Sequence, residues 1–168
     1  MSATDDLLDH NRAYARDFAR GDLAAPPRLR VAVLACMDAR LDMSRSLGLH
    51  EGDVHVIRNA GGLVTDDAIR SLAISQHLMG TEEIMLVHHT RCGMQSFSRQ
   101  EFGERMDRVA GQRPRWSAGG FDDLEGDVRE SIEKLQASPF ILHKESIRGF
   151  VYEVENGLLR EVETEELA

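Results

Sequence analysis

The sequence has few cysteines, which stabilise very small domains as disulfides, and no long apolar run of the kind that crosses membranes. Only two cysteines and four prolines occur among 168 residues, and aromatic residues make up 5%. No apolar run approaches the roughly 18 residues of a membrane span, and the first ten residues are acidic and polar, unlike a signal peptide. We therefore expect a cytoplasmic protein that has no membrane partner and folds without disulfide bonds.

Positive charge is also scarce. Twenty Lys and Arg residues stand against 29 Asp and Glu residues, which gives a formal net charge of -9. This charge repels a phosphate backbone and argues against nucleic acid as a partner. A small or neutral substrate is expected instead, bound by a single domain that spans residues 1–168.

Three short apolar runs indicate strands of a buried sheet. They are LRVAVLAC at 29–36, VHVIR at 54–58 and EIMLVHH at 83–89. Their continuous apolar character predicts burial on both faces. Between the second and third runs, Thr65 as N-cap and Gly80 as stop delimit a helix. Strand, helix and strand in this order predict a parallel pair.

Other signals complete an α/β pattern. Thr4 predicts the cap of a separate N-terminal helix that ends at Gly21, and apolar spacing predicts a further helix at about 121–137. Asn156-Gly157 predicts a tight hairpin turn near the end of the chain. The expected fold is a central, mainly parallel sheet flanked by helices, with a C-terminal antiparallel hairpin.

Side chains that bind metals follow the first and third strands. Cys36, Asp38 and Arg40 alternate in CMDAR, so in an extended chain they project from one face. His89 and Cys92 lie three positions apart after the third strand. Open α/β sheets bind ligands at the carboxyl edge of their strands. If the first and third strands are neighbours, the two thiols and the imidazole converge.

This set has a functional and an inert interpretation. Two thiolates and one imidazole suit Zn²⁺, and three protein ligands leave a position open for water, as in catalytic sites. Equally, Cys36 and Cys92 could be packing residues, with Asp38 and Arg40 an ordinary surface ion pair. A phosphatase loop is excluded, because neither cysteine has an arginine six positions later. A protease-like Cys/His pairing stays open.

Two glycines follow the second strand in RNAGG at 58–62, without a dinucleotide or P-loop fingerprint. Gly61 and Gly62 predict a tight turn, and the same turn could bring backbone close to a substrate. Histidines other than His89 are interpreted as surface or core residues; they are His10, His50, His55, His77, His88 and His143.

CxDxR at 36–40, RNAGG at 58–62 and HxxCG at 89–93, in this order, resemble the β-class carbonic anhydrases, especially their short actinobacterial members. The motifs cover roughly residues 25–100, and the order of elements matches over most of the chain. The resemblance implies reversible hydration of carbon dioxide to bicarbonate. It implies Zn²⁺ on Cys36, His89 and Cys92, with Asp38 and Arg40 as a catalytic dyad.

The resemblance carries further expectations. In an inactive state of some members the aspartate leaves the arginine and binds zinc, so Asp38 is a possible fourth ligand. The family usually forms dimers or dimers of dimers, with an N-terminal arm over the partner, here residues 1–24. Arg91 stands where close relatives often carry aspartate, and we expect it to point to solvent.

Two alternatives to carbon dioxide hydration stay open at this point. Some proteins on this scaffold hydrolyse carbonyl sulfide or carbon disulfide, which are chemical analogues of carbon dioxide. A non-catalytic zinc module, with Asp38 as a permanent fourth ligand, is the other alternative.

Overall fold

The computed structural model describes residues 2–164, and its centre is a five-stranded sheet in the order β2-β1-β3-β4-β5. The strands are β1 (Val31–Cys36), β2 (His55–Asn59), β3 (Glu83–His89), β4 (Ile147–Tyr152) and β5 (Leu159–Glu161). The pairs β1-β2, β1-β3 and β3-β4 are parallel, and β4-β5 is antiparallel. The predicted mainly parallel α/β sheet with a C-terminal hairpin is confirmed.

The helices flank this sheet. They are α1 (Ala3–Arg16), α2 (Met43–Leu47), α3 (Asp66–Met79), α4 (Arg99–Ala110) and α5 (Leu124–Ala137). Helix α3 has the predicted bounds, with the Thr65 side chain capping Ala68 N–H and Gly80 in the left-handed conformation. Helix α5 begins later than predicted, because the Asp123 side chain caps it by accepting from Gly126 N–H.

The N-terminal helix differs from the prediction at both ends. Ser2, and not Thr4, is the N-cap, in a reciprocal capping box with Asp5. The helix ends at Arg16 rather than at Gly21. None of its residues is buried, so α1 lies outside the core of the chain.

Strand β2 was predicted to be buried on both faces, and this is wrong. It lies at the edge of the sheet, and within residues 2–164 it pairs with β1 alone. Its side chains alternate between partly buried and exposed, and Val56 is 42% exposed. The short apolar run does not distinguish an edge strand from a central one, because that depends on the partners.

The hairpin between β4 and β5 is present, but its turn is wider than predicted. Residues 153–158 connect the strands, with Gly157 N–H bonded to Glu153 O at 2.7 Å. A two-residue type I′ turn needs positive φ at both central residues. Here Gly157 has φ 79°, whereas Asn156 is not in the left-handed region.

The two faces of the sheet have different roles. On one face, alternate β3 residues such as Leu86 pack with Val128 and Ile132 of α5. On the other face, Val87 packs in a cluster with Cys36. The candidate site therefore lies on the face opposite α5. Among residues 2–164 no helix has the length and apolar character to cross a membrane.

Candidate metal centre

The carboxyl ends of β1 and β3 meet at one edge of the sheet. The strands are parallel neighbours with Ala35 opposite Val87, so Cys36 and His89 end adjacent strands. Cys92 returns to them after a two-residue turn, and its Sγ lies 4.0 Å from Cys36 Sγ. One donor atom from each of the three side chains lies within 4.8 Å of the others, and all three are buried. The predicted convergence is confirmed.

The imidazole of His89 has a fixed orientation. Its Nδ1 lies 2.9 Å from Thr90 O, and because a carbonyl only accepts hydrogen bonds, Nδ1 carries the proton. The lone pair of a neutral ring is then on Nε2, which is buried and has no hydrogen-bond partner among residues 2–164. An unpaired buried nitrogen is costly. A metal ion between the thiols and this nitrogen removes that cost, so the residues fit a metal.

The two thiols lie within sulfur hydrogen-bond distance, with 4.0 Å between their Sγ atoms. A hydrogen bond from Cys92 lowers the pKa of Cys36 against the opposing effect of burial, and the same bond raises the pKa of Cys92. Backbone N–H groups, including that of Gly61, also favour the Cys36 thiolate. A divalent cation would displace the thiol protons and bind both sulfurs as thiolates.

The glycine turn after β2 packs directly on this site. Gly61 and Gly62 have φ of 83° and 71°, which side chains with a β-carbon rarely adopt. A β-carbon on Gly62 would lie 3.0 Å from Cys36 N and 3.1 Å from Val87 O. The predicted turn is present, and the backbone that it brings close is that of the strand ends.

Asp38 and Arg40 lie beside the thiols in a turn, not in an extended chain as predicted. Strand β1 stops at Cys36, and Leu41 N–H donates to Asp38 O at 3.0 Å. Arg40 holds the carboxylate with Nε 2.8 Å from Oδ1 and Nη2 2.7 Å from Oδ2. These bonds hold the pKa of Asp38 well below its usual range. Oδ2 also lies 3.7 Å from His89 Nε2.

Comparisons with known proteins place this arrangement in a family. The profile described as Carbonic anhydrase matches residues 31–112. Beta-carbonic anhydrase 1 of Mycobacterium tuberculosis is 51% identical over 162 residues, which cover 96% of this chain and 99% of the relative. The chain belongs to the β-carbonic anhydrase family. The likeness extends beyond residues 25–100, which carry the motifs, to most of the chain.

Solved structures agree with this membership of the β-carbonic anhydrase family. The crystal structure of a carbonic anhydrase from Streptococcus mutans has a TM-score of 0.91 and 43% identity, with 97% of this chain and 99% of that chain covered. Carbon disulfide hydrolase of Acidithiobacillus thiooxidans is a more distant relative, 34% identical over 95% of this chain and 90% of its own length.

Sequence reasoning missed an arginine that shapes this β-carbonic anhydrase site. Arg58 donates to Cys36 O through Nε at 3.0 Å and to Asp38 O through Nη2 at 2.7 Å. It therefore holds the chain between the Cys36 thiol and the Asp38 carboxylate. The available signal was its place in RNAGG, directly before the glycine turn at the same sheet edge.

Arg91 points to solvent, as expected, but it is not isolated. Its side chain is 72% exposed and its Nε lies 2.7 Å from Glu155 Oε1. Its carbonyl accepts a hydrogen bond from Arg40 Nη2 at 3.0 Å. Arg91 thus contacts Arg40 through its backbone.

Proposed function

We propose that this protein catalyses the reversible hydration of carbon dioxide at a Zn²⁺ ion bound by Cys36, His89 and Cys92. One observation carries the proposal: three buried donors converge beside a carboxylate that an arginine keeps ionised. Sulfur and imidazole ligands suit zinc, and three of them leave a tetrahedral position for a non-protein ligand. The family membership makes carbon dioxide the substrate to test first.

The residues of the site have separate tasks in this reaction. Cys36, His89 and Cys92 would hold the zinc ion, which when bound would supply hydroxide chemistry by lowering the pKa of water. Asp38, once ionised, only accepts hydrogen bonds, so it orients the attacking oxygen with a lone pair toward carbon dioxide. Arg40 keeps Asp38 ionised and fixes its two oxygens through the bidentate contact.

The test is a stopped-flow assay of carbon dioxide hydration at mildly alkaline pH, with zinc content measured on the same sample. We expect about one zinc ion per chain, as three ligands imply, and a rate well above that of the buffer. A zinc-loaded protein with no rate above buffer contradicts the proposed activity. Purified protein that binds no metal contradicts the proposed site.

Hydrolysis of carbon disulfide is the second candidate activity. It is favoured by the 34% identity to a carbon disulfide hydrolase over most of both chains. Hydroxide attack on the central carbon is common to both substrates, so the site residues alone do not separate them. Sulfide release from carbon disulfide or carbonyl sulfide, measured beside carbon dioxide hydration, decides between the activities.

A non-catalytic zinc module requires Asp38 on the metal. Here both oxygens of Asp38 contact Arg40, and Oδ2 lies 3.7 Å from His89 Nε2. This pairing supports the catalytic arrangement, with the Asp38-bound form as a possible inactive state. Metal-edge diffraction at two pH values counts the protein ligands; four ligands at both values would support the module.

We further propose that residues 1–168 form one domain of a homodimer, with residues 1–24 as an arm on the second copy. Helix α1 buries none of its residues, and Leu7 and Tyr14 are 67% and 54% exposed. A mostly apolar groove of about 630 Å³ lies between α3 and residues 137–140, with Ile74 and Phe140 exposed. A second copy provides matching apolar surface for both.

Sedimentation analysis tests this assembly. We expect a dimer or a dimer of dimers in the full chain, and dissociation when residues 1–20 are deleted, because apolar contacts between copies are lost. A monomeric full chain contradicts the assembly. The two free, buried thiols suit a reducing compartment, and we place the enzyme in the cytoplasm, which fractionation of cells can test.

A further inference from the structure

The two residues between His89 and Cys92 orient both parts of the site. Thr90 O accepts a hydrogen bond from His89 Nδ1 at 2.9 Å. Arg91 O accepts one from Arg40 Nη2 at 3.0 Å. The position of this two-residue segment therefore sets the direction of the imidazole and of the arginine that holds Asp38.

The conformation of the segment needs support from outside. Arg91 has φ 52°, in the left-handed region that residues with a β-carbon seldom occupy. The segment lies between the end of β3 and the short turn at Gly93–Gln95, without a helix or strand of its own. If released, Arg91 would move toward a common backbone conformation, and its carbonyl would turn away from Arg40.

Glu155, in the connection between β4 and β5, holds both residues. Its Oε2 accepts from the Thr90 hydroxyl at 2.8 Å, and its Oε1 lies 2.7 Å from Arg91 Nε. The Thr90 hydroxyl in turn accepts from Val154 N–H at 3.1 Å, and Thr90 N–H donates to Tyr152 O at 3.0 Å. One carboxylate from the hairpin thus fixes two consecutive residues of the site.

We propose that Glu155 is a positioning residue for the metal centre and for the Asp38-Arg40 dyad. It acts through Thr90 and Arg91, whose carbonyls orient His89 and Arg40. The inference rests on the proposed function for its turnover assay only, because its effect on the metal site is measurable without turnover.

The charges around the segment favour this arrangement. The Thr90 hydrogen bond, together with the positive charges of Arg91 and Arg40, lowers the pKa of Glu155. Glu155 is therefore ionised wherever the enzyme is expected to work. The contrary interpretation is an exposed ion pair with no effect on the site, since Arg91 and Glu155 are 72% and 40% exposed.

Glu155→Ala and Glu155→Gln, with Glu161→Ala as a matched control, separate these interpretations. Glu161 belongs to the same hairpin and makes an exposed bidentate ion pair with Arg148. This ion pair does not involve residues 89–92. Each variant is loaded with Co²⁺ for absorption spectra, with Zn²⁺ for the rate of metal release to a chelator, and assayed for kcat and KM.

We expect Glu155→Ala to change the cobalt spectrum, to speed zinc release about 10-fold and to lower kcat about 10-fold with little change in KM, as for outer residues of metal sites. Glu155→Gln should recover part of each effect, because its amide oxygen still accepts from Thr90. Thr90→Val should reproduce part of the changes, because Arg91 keeps its contact with Glu155, and combining it with Glu155→Ala should add little to the effect of Glu155→Ala. Glu161→Ala should match the parent.

The proposal is overturned if Glu155→Ala has the parent's cobalt spectrum and zinc release, or if Glu161→Ala changes them equally. A parent that binds zinc but hydrates no carbon dioxide would contradict the proposed function alone, and the two metal measurements would still decide the role of Glu155. If Glu155→Ala does not fold, the cobalt spectrum and zinc release of Glu155→Gln and Thr90→Val test the proposal instead.

Discussion

His88 and His89 are consecutive, fully buried histidines at the end of the same strand, yet they belong to different regions of the molecule. His89 lies with the thiols and Asp38. His88 lies on the opposite face, with Nε2 2.9 Å from Asp127 Oδ2 of α5 and its ring against Phe121 at 5.6 Å. Strand alternation sends neighbouring side chains to opposite faces. Residue type alone therefore does not mark a ligand.

The two faces also differ in what completes them. On the His89 face, Nε2 has no hydrogen-bond partner among the described residues, and two thiols and a carboxylate surround it. On the His88 face, the ring nitrogens also have no hydrogen-bond partner among the described residues, but the group beside them is the Asp127 carboxylate of α5, 2.9 Å from Nε2, and not a set of thiols. We interpret the first as a metal centre and the second as a polar contact within the core that joins α5 to the sheet.

The largest expected effect is a difference in zinc binding between variants of the two histidines. His89→Ala should lower zinc affinity by more than the roughly 10–100-fold that an outer residue costs, and turnover should fall to the buffer rate. His88→Phe should bind zinc like the parent, because its ring lies on the other face. Metal analysis and chelator competition measure both; equal zinc loss in the two variants would show that the faces are not independent.

The next effect compares the carboxylates that the two histidines face. Asp38→Asn should keep zinc but lower kcat about 10²–10³-fold, because the amide has the shape but not the charge of the acceptor. Asp127→Asn should leave kcat close to that of the parent. Stopped-flow assays at equal zinc content give the result, and a large loss of kcat in Asp127→Asn would place α5 in the catalytic machinery.

A smaller effect concerns stability on the α5 face. Asp127→Leu removes the carboxylate that lies 2.9 Å from the buried Nε2 of His88, and it should lower the free energy of unfolding by about 1–3 kcal/mol. Adding His88→Phe removes the unpaired group and should restore most of that loss. Urea unfolding of the metal-free protein, analysed as a double-mutant cycle, measures the coupling; simple additivity would mean that the two groups do not interact.

The smallest effect is a pH dependence on the His89 face. Because Arg40 lowers the folded-state pKa of Asp38 from 3.8, the carboxylate contributes stability that is fully present above this value. The contribution is lost as the pH falls below 3.8 and through the lower folded-state pKa. In Asp38→Asn this component should vanish, and in Asp127→Asn it should persist. Unfolding of metal-free protein between neutral and acidic pH tests the difference.

Local signals predicted helix α3 correctly but misplaced both ends of α1. Helix α3 has the bounds given by Thr65 and Gly80, because a cap and a left-handed glycine are local features. Helix α4 was not predicted. It buries none of its residues, but Phe102, Met106 and Val109 recur at helical spacing and Ser98 and Glu101 form a capping box, and these two signals could have indicated the helix.

The candidate site was predicted in its residues but not in its supports. Cys36, His89 and Cys92 were predicted because metal-binding residue types stood at the ends of strands, and their convergence followed once β1 and β3 were neighbours. Glu155 was not predicted, because nothing in the sequence distinguishes it from other glutamates. Its hydrogen-bond partner Thr90 is 65 positions earlier in the chain, and no local pattern links them.

The sequence by itself determined the donor atoms, their order along the chain and the strands that carry them, because strand periodicity, helix capping and ligand chemistry act over a few residues. Only the tertiary structure decided that β2 is an edge strand, that His89 and not His88 faces the thiols, and that Glu155 reaches the site. These outcomes depend on which elements become neighbours, which is set by packing the whole sheet and its helices at once.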